Sequence, residues 1–459
     1  MAGIGFTLRA LARRDDLLGT VQGFGASALI AAGPWLFTIF ALAGIGVYGQ
    51  QLAGLEEIGL FRLIVIYNFC FSLTFSGPIV IVATRWLADA IFAKQVEDAP
   101  GMLVGGMVLS LGLQAPLAAG FYLWLADMAP ALKAAAVVNY LLICAIWLIS
   151  VFLTALKDYV TVTAAFAAGM LVAFLAAVAL APDFGATGAL LGFSLGLSLI
   201  LFGLIARVQA EYPYPPRRLF AFIPYFRRYW ELALGAFAYG LAIWVDKWLM
   251  WFAPERELRA GVLAYHPTYD SAMFLAYLTI VPSMAMFVMT IETGFYERYQ
   301  RFFGDMLQHA TLSRIRLNHV ALSRGLEAGL RNVMMLQSCL SLIAILAAPR
   351  AFDLLGIDYL QLGIFRFGVL GALFHTMLMF CCIVLSYFDL RRDVLALQIL
   401  YLLVNAAASW IAQNAGFEYY GYGYFAASLI CALAAFAVMI ARVRRLPYIA
   451  FVTNNPSVH

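Results

Sequence analysis

The sequence predicts an all-α membrane protein of about twelve transmembrane helices in two six-helix bundles, and three observations carry that reading. The first is composition: of 459 residues, 64% are hydrophobic and 12% charged, whereas soluble domains run at roughly half apolar and a quarter charged. The second is run length. Apolar stretches of roughly 20 residues, each enough to cross hydrocarbon as a helix, recur from end to end. The third is the placement of basic residues. With the N-terminus inside, 22 of the 29 Lys and Arg fall in cytoplasmic segments and only Lys133, Arg256, Arg259 and Arg350 fall opposite; a missed or extra span would blur that asymmetry.

The spans run near 20 to 47, 60 to 84, 101 to 126, 132 to 155, 159 to 181 and 187 to 206, then near 229 to 252, 271 to 293, 332 to 349, 361 to 387, 393 to 412 and 421 to 441. Residues 1 to 19 carry Ile4, Phe6, Leu8 and Leu11 beside Arg9, Arg13 and Arg14, as a short interfacial helix would. The first span is too long for a cleaved leader and has no small-residue cleavage site. Two bundles follow, residues 20 to 206 and 229 to 441, joined by a cytoplasmic linker, 207 to 228, that holds Pro213, Pro215 and Pro216. Residues 442 to 459 form a cytoplasmic tail. Six plus six is the layout of transporters whose two bundles rock about a central site.

A second long cytoplasmic loop, 294 to 331, spaces Phe302, Phe303, Met306, Leu307, Ile315, Leu322, Leu326 and Leu330 among arginines, the pattern of an amphipathic helix. It either lies on the lipid surface or docks a cytosolic partner through Arg298, Arg301, Phe302 and Phe303.

The chain holds no phosphate-binding glycine loop and no soluble segment large enough for a nucleotide-sugar domain, so neither ATP hydrolysis of that type nor glycosyl transfer is expected. All six cysteines lie in apolar runs and the five histidines show no ligand spacing, so no metal or other cofactor is predicted. Intramembrane charge is costly and marks function. Arg62, Asp246, Lys247 and Arg366 all fall near the outer ends of the second, seventh and tenth spans. They either form a polar layer at the mouth of a path or snorkel to the headgroups. Trp35, Tyr239, Trp244, Trp248 and Tyr277 sit in the first, seventh and eighth spans, where aromatic faces could stack on the C–H faces of sugars. His375, deep in the tenth span, reads as a bonded interior histidine.

The opening Met1-Ala2-Gly3-Ile4-Gly5-Phe6, the run Arg13-Arg14-Asp15-Asp16, Gly33-Pro34-Trp35, Asp246-Lys247-Trp248, Glu292-Thr293 and Phe295-Tyr296-Glu297-Arg298-Tyr299 together resemble the PelG family of the Pel exopolysaccharide export machinery. The resemblance covers essentially the whole chain. It implies an inner-membrane transporter that passes a growing, N-acetylgalactosamine-rich polymer from a cytosolic glycosyltransferase to the periplasm. It also implies membrane partners that include a cyclic-di-GMP receptor, and no nucleic acid. The alternatives are an ion-coupled small-molecule antiporter of the same layout, which needs an interior carboxylate, a scaffold that anchors a synthase without transporting, and a membrane acyltransferase built on His375.

Overall fold

The computed structural model describes residues 17–156, 159–290 and 294–453, with side chains from Gly33 onward apart from 153–159, 289, 355 and 452–453. The interfacial helix expected over residues 1 to 19 lies outside the described residues except for its last three, which form the first turn of α1. Lys157, Glu292 and Thr293 lie outside them too. In hydrocarbon no water is available to backbone N–H and C=O groups, so a chain this apolar must satisfy them within helices. Nearly every described residue is helical.

The helices are α1 (Leu17–Ala53), α2 (Leu55–Phe92), α3 (Ala99–Ala119), α4 (Pro130–Leu156), α5 (Tyr159–Glu211), α6 (Ile223–Arg228), α7 (Trp230–Ala242) and α8 (Val245–Met250). A two-stranded antiparallel hairpin follows, β1 (Glu257–Arg259) with β2 (Leu263–Tyr265). Next come α9 (Pro267–Leu278), α10 (Val281–Thr290), α11 (Tyr296–Leu307), α12 (Leu312–Leu355), α13 (Gln361–Tyr387), α14 (Arg391–Ala415) and α15 (Tyr422–Arg444). Among the described residues ten helical stretches are long and apolar enough to cross a membrane. One of these, α5, is two spans, because Gly185 leaves the helical region (φ 57°, ψ −136°) and turns the chain back. The short α7 and α8 together make a further span. Counted in this way, the described residues make twelve spans.

The chain forms two compact units. The first is Gly33–Pro267; the second begins at Thr268 and includes α1 as far as Ala32. The seventh span, which the six-plus-six reading assigns to the second bundle, packs within the first unit on α2. A Cβ placed on Gly240 would lie 3.0 Å from Thr74 Cα, and one on Gly77 3.4 Å from the Ala236 carbonyl.

Without a hydrophobic drive between helices, close backbone approach and interhelical hydrogen bonds hold a membrane bundle together, and the first unit uses both. The two arms of α5 meet along Gly188, Gly192 and Gly196, spaced by four. A Cβ on Gly192 would come within 2.2 Å of Ala177 N, and one on Gly196 within 2.3 Å of the Gly169 carbonyl. At the turn between the arms the Ala186 N–H donates to Glu57 Oε2 at 2.7 Å, a carboxylate satisfying a helix N-terminus. A polar seam runs down α2. Asn68 donates to Asn139 Oδ1 (2.9 Å) and accepts from Tyr122 (2.7 Å), Asn139 donates to Ser194 (2.9 Å), and Gln114 donates to Ser76 (3.1 Å). All of these side chains are buried; the Asn68 and Gln114 bonds tie α2 to α4, to α3 and to the turn that follows α3, and the Asn139–Ser194 bond ties α4 to α5.

The 207 to 228 linker is helical as far as Glu211 and again from Ile223. Between these, its backbone lies on α3 in a groove made by Gly101 and Gly105: the Arg217 and Leu219 carbonyls sit 1.6 and 1.8 Å from where Cβ atoms would be. In the second unit the 294 to 331 segment differs from the single amphipathic helix expected. It is a hairpin of α11 and the first part of α12, which continues without a break into the ninth span. Phe302, Ile315, Leu322, Leu326 and Leu330 close the hairpin's interior. The apolar periodicity therefore marks a seam between two helices.

Candidate functional site

In the first unit the seventh span is broken. α7 ends at Ala242, Ile243 and Trp244 make a turn, and α8 resumes at Val245. At the break Lys247 reaches back along the chain: its Nζ lies 3.3 Å from the Ile243 oxygen. The same ammonium donates to both carboxylate oxygens of Asp246, at 3.1 and 2.9 Å. It also sits 5.8 Å from the centre of the Trp244 ring. Asp246 is fully buried and Lys247 is 7% exposed.

Beside this break stands a ladder of aromatic rings. Tyr67, Phe71 and Phe75 recur every four residues on α2 and so share one stripe, about 12 Å long at 1.5 Å per residue. Trp248 of α8 stacks on Phe71 (5.4 Å, 11° between planes), and Trp251, the residue just past α8, stacks on Tyr67 (4.7 Å, 9°). Phe71 and Phe75 stack at 6.4 Å, Phe237 of α7 continues from Phe75 at 6.0 Å, and Phe121 stacks on Tyr67 at 5.9 Å. Two hydrogen bonds fix the rungs. Trp248 Nε1 donates to Cys70 Sγ (3.2 Å), and the Tyr67 hydroxyl donates to the Ala264 carbonyl on β2 (2.7 Å).

The hairpin closes that end of the ladder. Arg259 Nη1 donates to the Glu56 carbonyl at 3.1 Å, and the Asp127 N–H donates to the Ala260 carbonyl at 2.9 Å, so strands, α2 and the end of the third span are tied together. Behind the hairpin His266 is buried. Burial pushes its imidazole below the ordinary range, against the opposing pull of the Glu255 carboxylate 3.8 Å away.

Of the residues singled out in the sequence, the structure brings together Trp244, Asp246, Lys247 and Trp248. Tyr239 is half-buried on α7, while Trp35 on α1 and Arg62 on α2 are exposed. Tyr277 and Arg366 belong to the second unit, the first beside His375 and the second exposed. Among the four proposed docking residues, Phe302 is fully buried and packs against His319 and Phe303 within the hairpin. Arg298 is half-buried, donating to the Gly294 carbonyl at 3.3 Å. Phe303 packs on Tyr299 (4.6 Å), and Arg301, 71% exposed, remains open at the surface. Around Arg301 an open recess of about 450 Å³ is lined by Glu297, Gln300, Asp305, Gln308 and Arg314. The ladder residues Tyr67, Phe71, Phe75, Phe121 and Trp251 escaped the sequence reading. The signal that could have found them is the four-residue spacing on the second span.

The rings stand in line, stacked on one another beside a paired ammonium and carboxylate; Tyr67 and Trp251 are buried and Phe71, Phe75, Phe121 and Trp248 half-buried. Flat apolar faces with adjacent hydrogen-bonding charge suit a ligand that has C–H faces and hydroxyls. Because the charges are buried and paired, removing one takes from the other an opposite charge 2.9 Å away. Asp246→Asn should therefore destabilise the protein by about 3–5 kcal/mol and lower its abundance in the membrane. Adding Lys247→Met should recover much of that loss, measured as thermal midpoints of the purified variants; an Asp246→Asn protein of unchanged stability would contradict the pairing.

A family model described as PelG, "Putative exopolysaccharide Exporter (EPS-E)", matches residues 1–451. No curated protein matches the chain by sequence. Solved structures do match in fold. A MATE in the straight conformation is 14% identical with a TM-score of 0.65, covering 93% of this chain and 96% of that one. A MATE in the bent conformation is 16% identical with a TM-score of 0.63, over 98% and 99% of the two chains. A MOP superfamily transporter from Pyrococcus furiosus is 14% identical with a TM-score of 0.62, over 92% and 96%. At such identities the likeness establishes the fold, which is that of multi-pass transporters. The chain is a multi-pass membrane transporter and belongs to the PelG family of exopolysaccharide exporters.

Proposed function

We propose that the protein carries a growing, Pel-type exopolysaccharide, rich in N-acetylgalactosamine, across the bacterial inner membrane, and that the aromatic ladder of α2 and α8 is part of the track. The observation that carries this reading is the ladder itself. Rings 4.7 to 6.4 Å apart cover one another's faces, so a sugar would take the place of one ring against its partner, and successive pairs of similar strength would let a chain of like sugars advance without meeting one deep well. The seventh-span break supports the same reading. Discontinuous helices place charge and backbone carbonyls where a transporter handles its substrate, and here Asp246 and Lys247 would exchange their mutual bonds for sugar hydroxyls.

Both termini lie in the cytoplasm on this reading, because that orientation puts 22 of the 29 basic residues inside. The polymer comes from a cytosolic glycosyltransferase, which works with membrane partners that include a cyclic-di-GMP receptor. The recess around Arg301 is the docking surface for the synthase. Its lining carries both signs of charge, a pattern that sets register and partner choice more than affinity. Arg301→Glu should then abolish co-purification of the synthase while leaving the fold intact, and an undiminished complex would remove the docking assignment.

The ladder is tested by side-chain exchange. Phe71→Ala and Trp248→Ala should each lower secreted polysaccharide by about three- to tenfold, the equivalent of one aromatic contact of about 0.5–1.5 kcal/mol. Phe71→Trp and Trp248→Phe should retain most of it. Membrane abundance is measured in parallel by immunoblot. Full export from the Phe71→Ala, Trp248→Ala double variant would exclude the ladder as the track.

A further inference from the structure

The second unit contains a buried titratable group that the proposed transport path does not use. His375 is 2% exposed at the middle of α13. Its Nδ1 lies 3.1 Å from the Tyr424 hydroxyl and 3.1 Å from the Tyr401 hydroxyl. The Tyr277 ring stands edge-on to the imidazole, with centroids 6.2 Å apart. The three tyrosines come from α9, α14 and α15, so the cage joins four helices. Elsewhere the membrane-spanning parts of this unit hold little that can titrate near neutrality. Residues 271–290, 332–349, 394–415 and 422–441 contain no Asp, Glu, Lys or Arg, and α13 adds only Arg366, nine positions before His375.

We propose that His375 is a proton-binding site in the membrane interior, and that its charge state sets the hinge in the eighth span. The chemistry follows from the count of donors. A ring nitrogen has one lone pair or one hydrogen. The neutral imidazole presents Nδ1 as donor or acceptor according to its tautomer, whereas the imidazolium carries a hydrogen at both nitrogens and can only donate, so on protonation both equidistant phenol oxygens must turn to it as acceptors. An ionisable side chain kept at this depth marks function by default, since an apolar residue would fill the space at less cost.

The cage connects to a moving part. Tyr277 lies two residues before Thr279 and Ile280, where the eighth span is broken between α9 and α10, with Pro282 in the first turn of α10. Across the break Gln337 of α12 reaches the Thr279 hydroxyl at 3.5 Å. A proton taken up by His375 redistributes the phenol hydrogen bonds, and Tyr277 passes that change to the break. This inference does not rest on the glycan reading; it would hold for any cargo.

The test uses the full chain in lipid nanodiscs with isotopically labelled histidine. Among the signals of the five histidines, one imidazole that titrates within about pH 5 to 8, the range over which histidine ordinarily changes charge, should be present in the wild type and missing from His375→Gln. Amide hydrogen exchange over residues 276 to 284, compared with His375→Gln at each pH, should differ at least threefold at the acid end and converge at the alkaline end. Should His375→Gln fail to accumulate, Tyr401→Phe serves instead: losing one acceptor oxygen should displace the titration midpoint towards lower pH. An imidazole that stays neutral across the range, a difference in exchange that ignores pH, or an unmoved midpoint in Tyr401→Phe would overturn the proposal.

Discussion

The structure turns on one constraint: within hydrocarbon a backbone group released from its helix finds no water, so every break must supply its own partner. The seventh span shows how this is met. Where α7 stops, Lys247 reaches back to the Ile243 carbonyl, and Asp246 neutralises the lysine that the break has drawn inside. The charge pair and the interruption are thus one feature. A buried pair gives little net stability against an apolar replacement, and on the proposed function it serves the passage of substrate rather than the holding of the unit.

Stability of the first unit comes from elsewhere. The glycine stripe Gly188, Gly192 and Gly196 brings the arms of α5 to backbone contact, and the bonds of Asn68, Asn139, Ser194 and Gln114 tie α2 to its neighbours. One side of α2 is consequently rigid. Its aromatic stripe faces α8 and the hairpin, and Tyr67 and Trp248 are each held by a hydrogen bond that spares the ring face.

Much of this was legible in the sequence, and for physical reasons. Span number and helical class follow from run length and from the sides on which arginine falls, since lipid penalises any other arrangement. Asp246 and Lys247 stood out because charge in an apolar run is rare. Their mutual pairing did not, because it depends on the helix break, and the run from Trp230 to Met250 contains no proline to announce one. Arg62 and Arg366 looked equivalent to that pair by depth, yet both side chains are exposed. The 294 to 331 segment shows the same limit. An apolar stripe can face lipid, a partner or a neighbouring helix, and only the turn after Leu307 turns it into a seam that buries Phe302. The ladder was missed because Tyr67, Phe71 and Phe75 are unexceptional among the 68 aromatic residues of the chain until α8 supplies the facing rings.

The central claim is that polymer passes over the α2 and α8 rings, and photo-crosslinking during active secretion tests it most directly. A photoreactive phenylalanine analogue placed at Phe71 or Trp248 should capture polysaccharide, while the same analogue at the exposed positions Phe40 and Phe202 should not. Equal capture at all four sites, or capture at the exposed sites alone, would contradict the account.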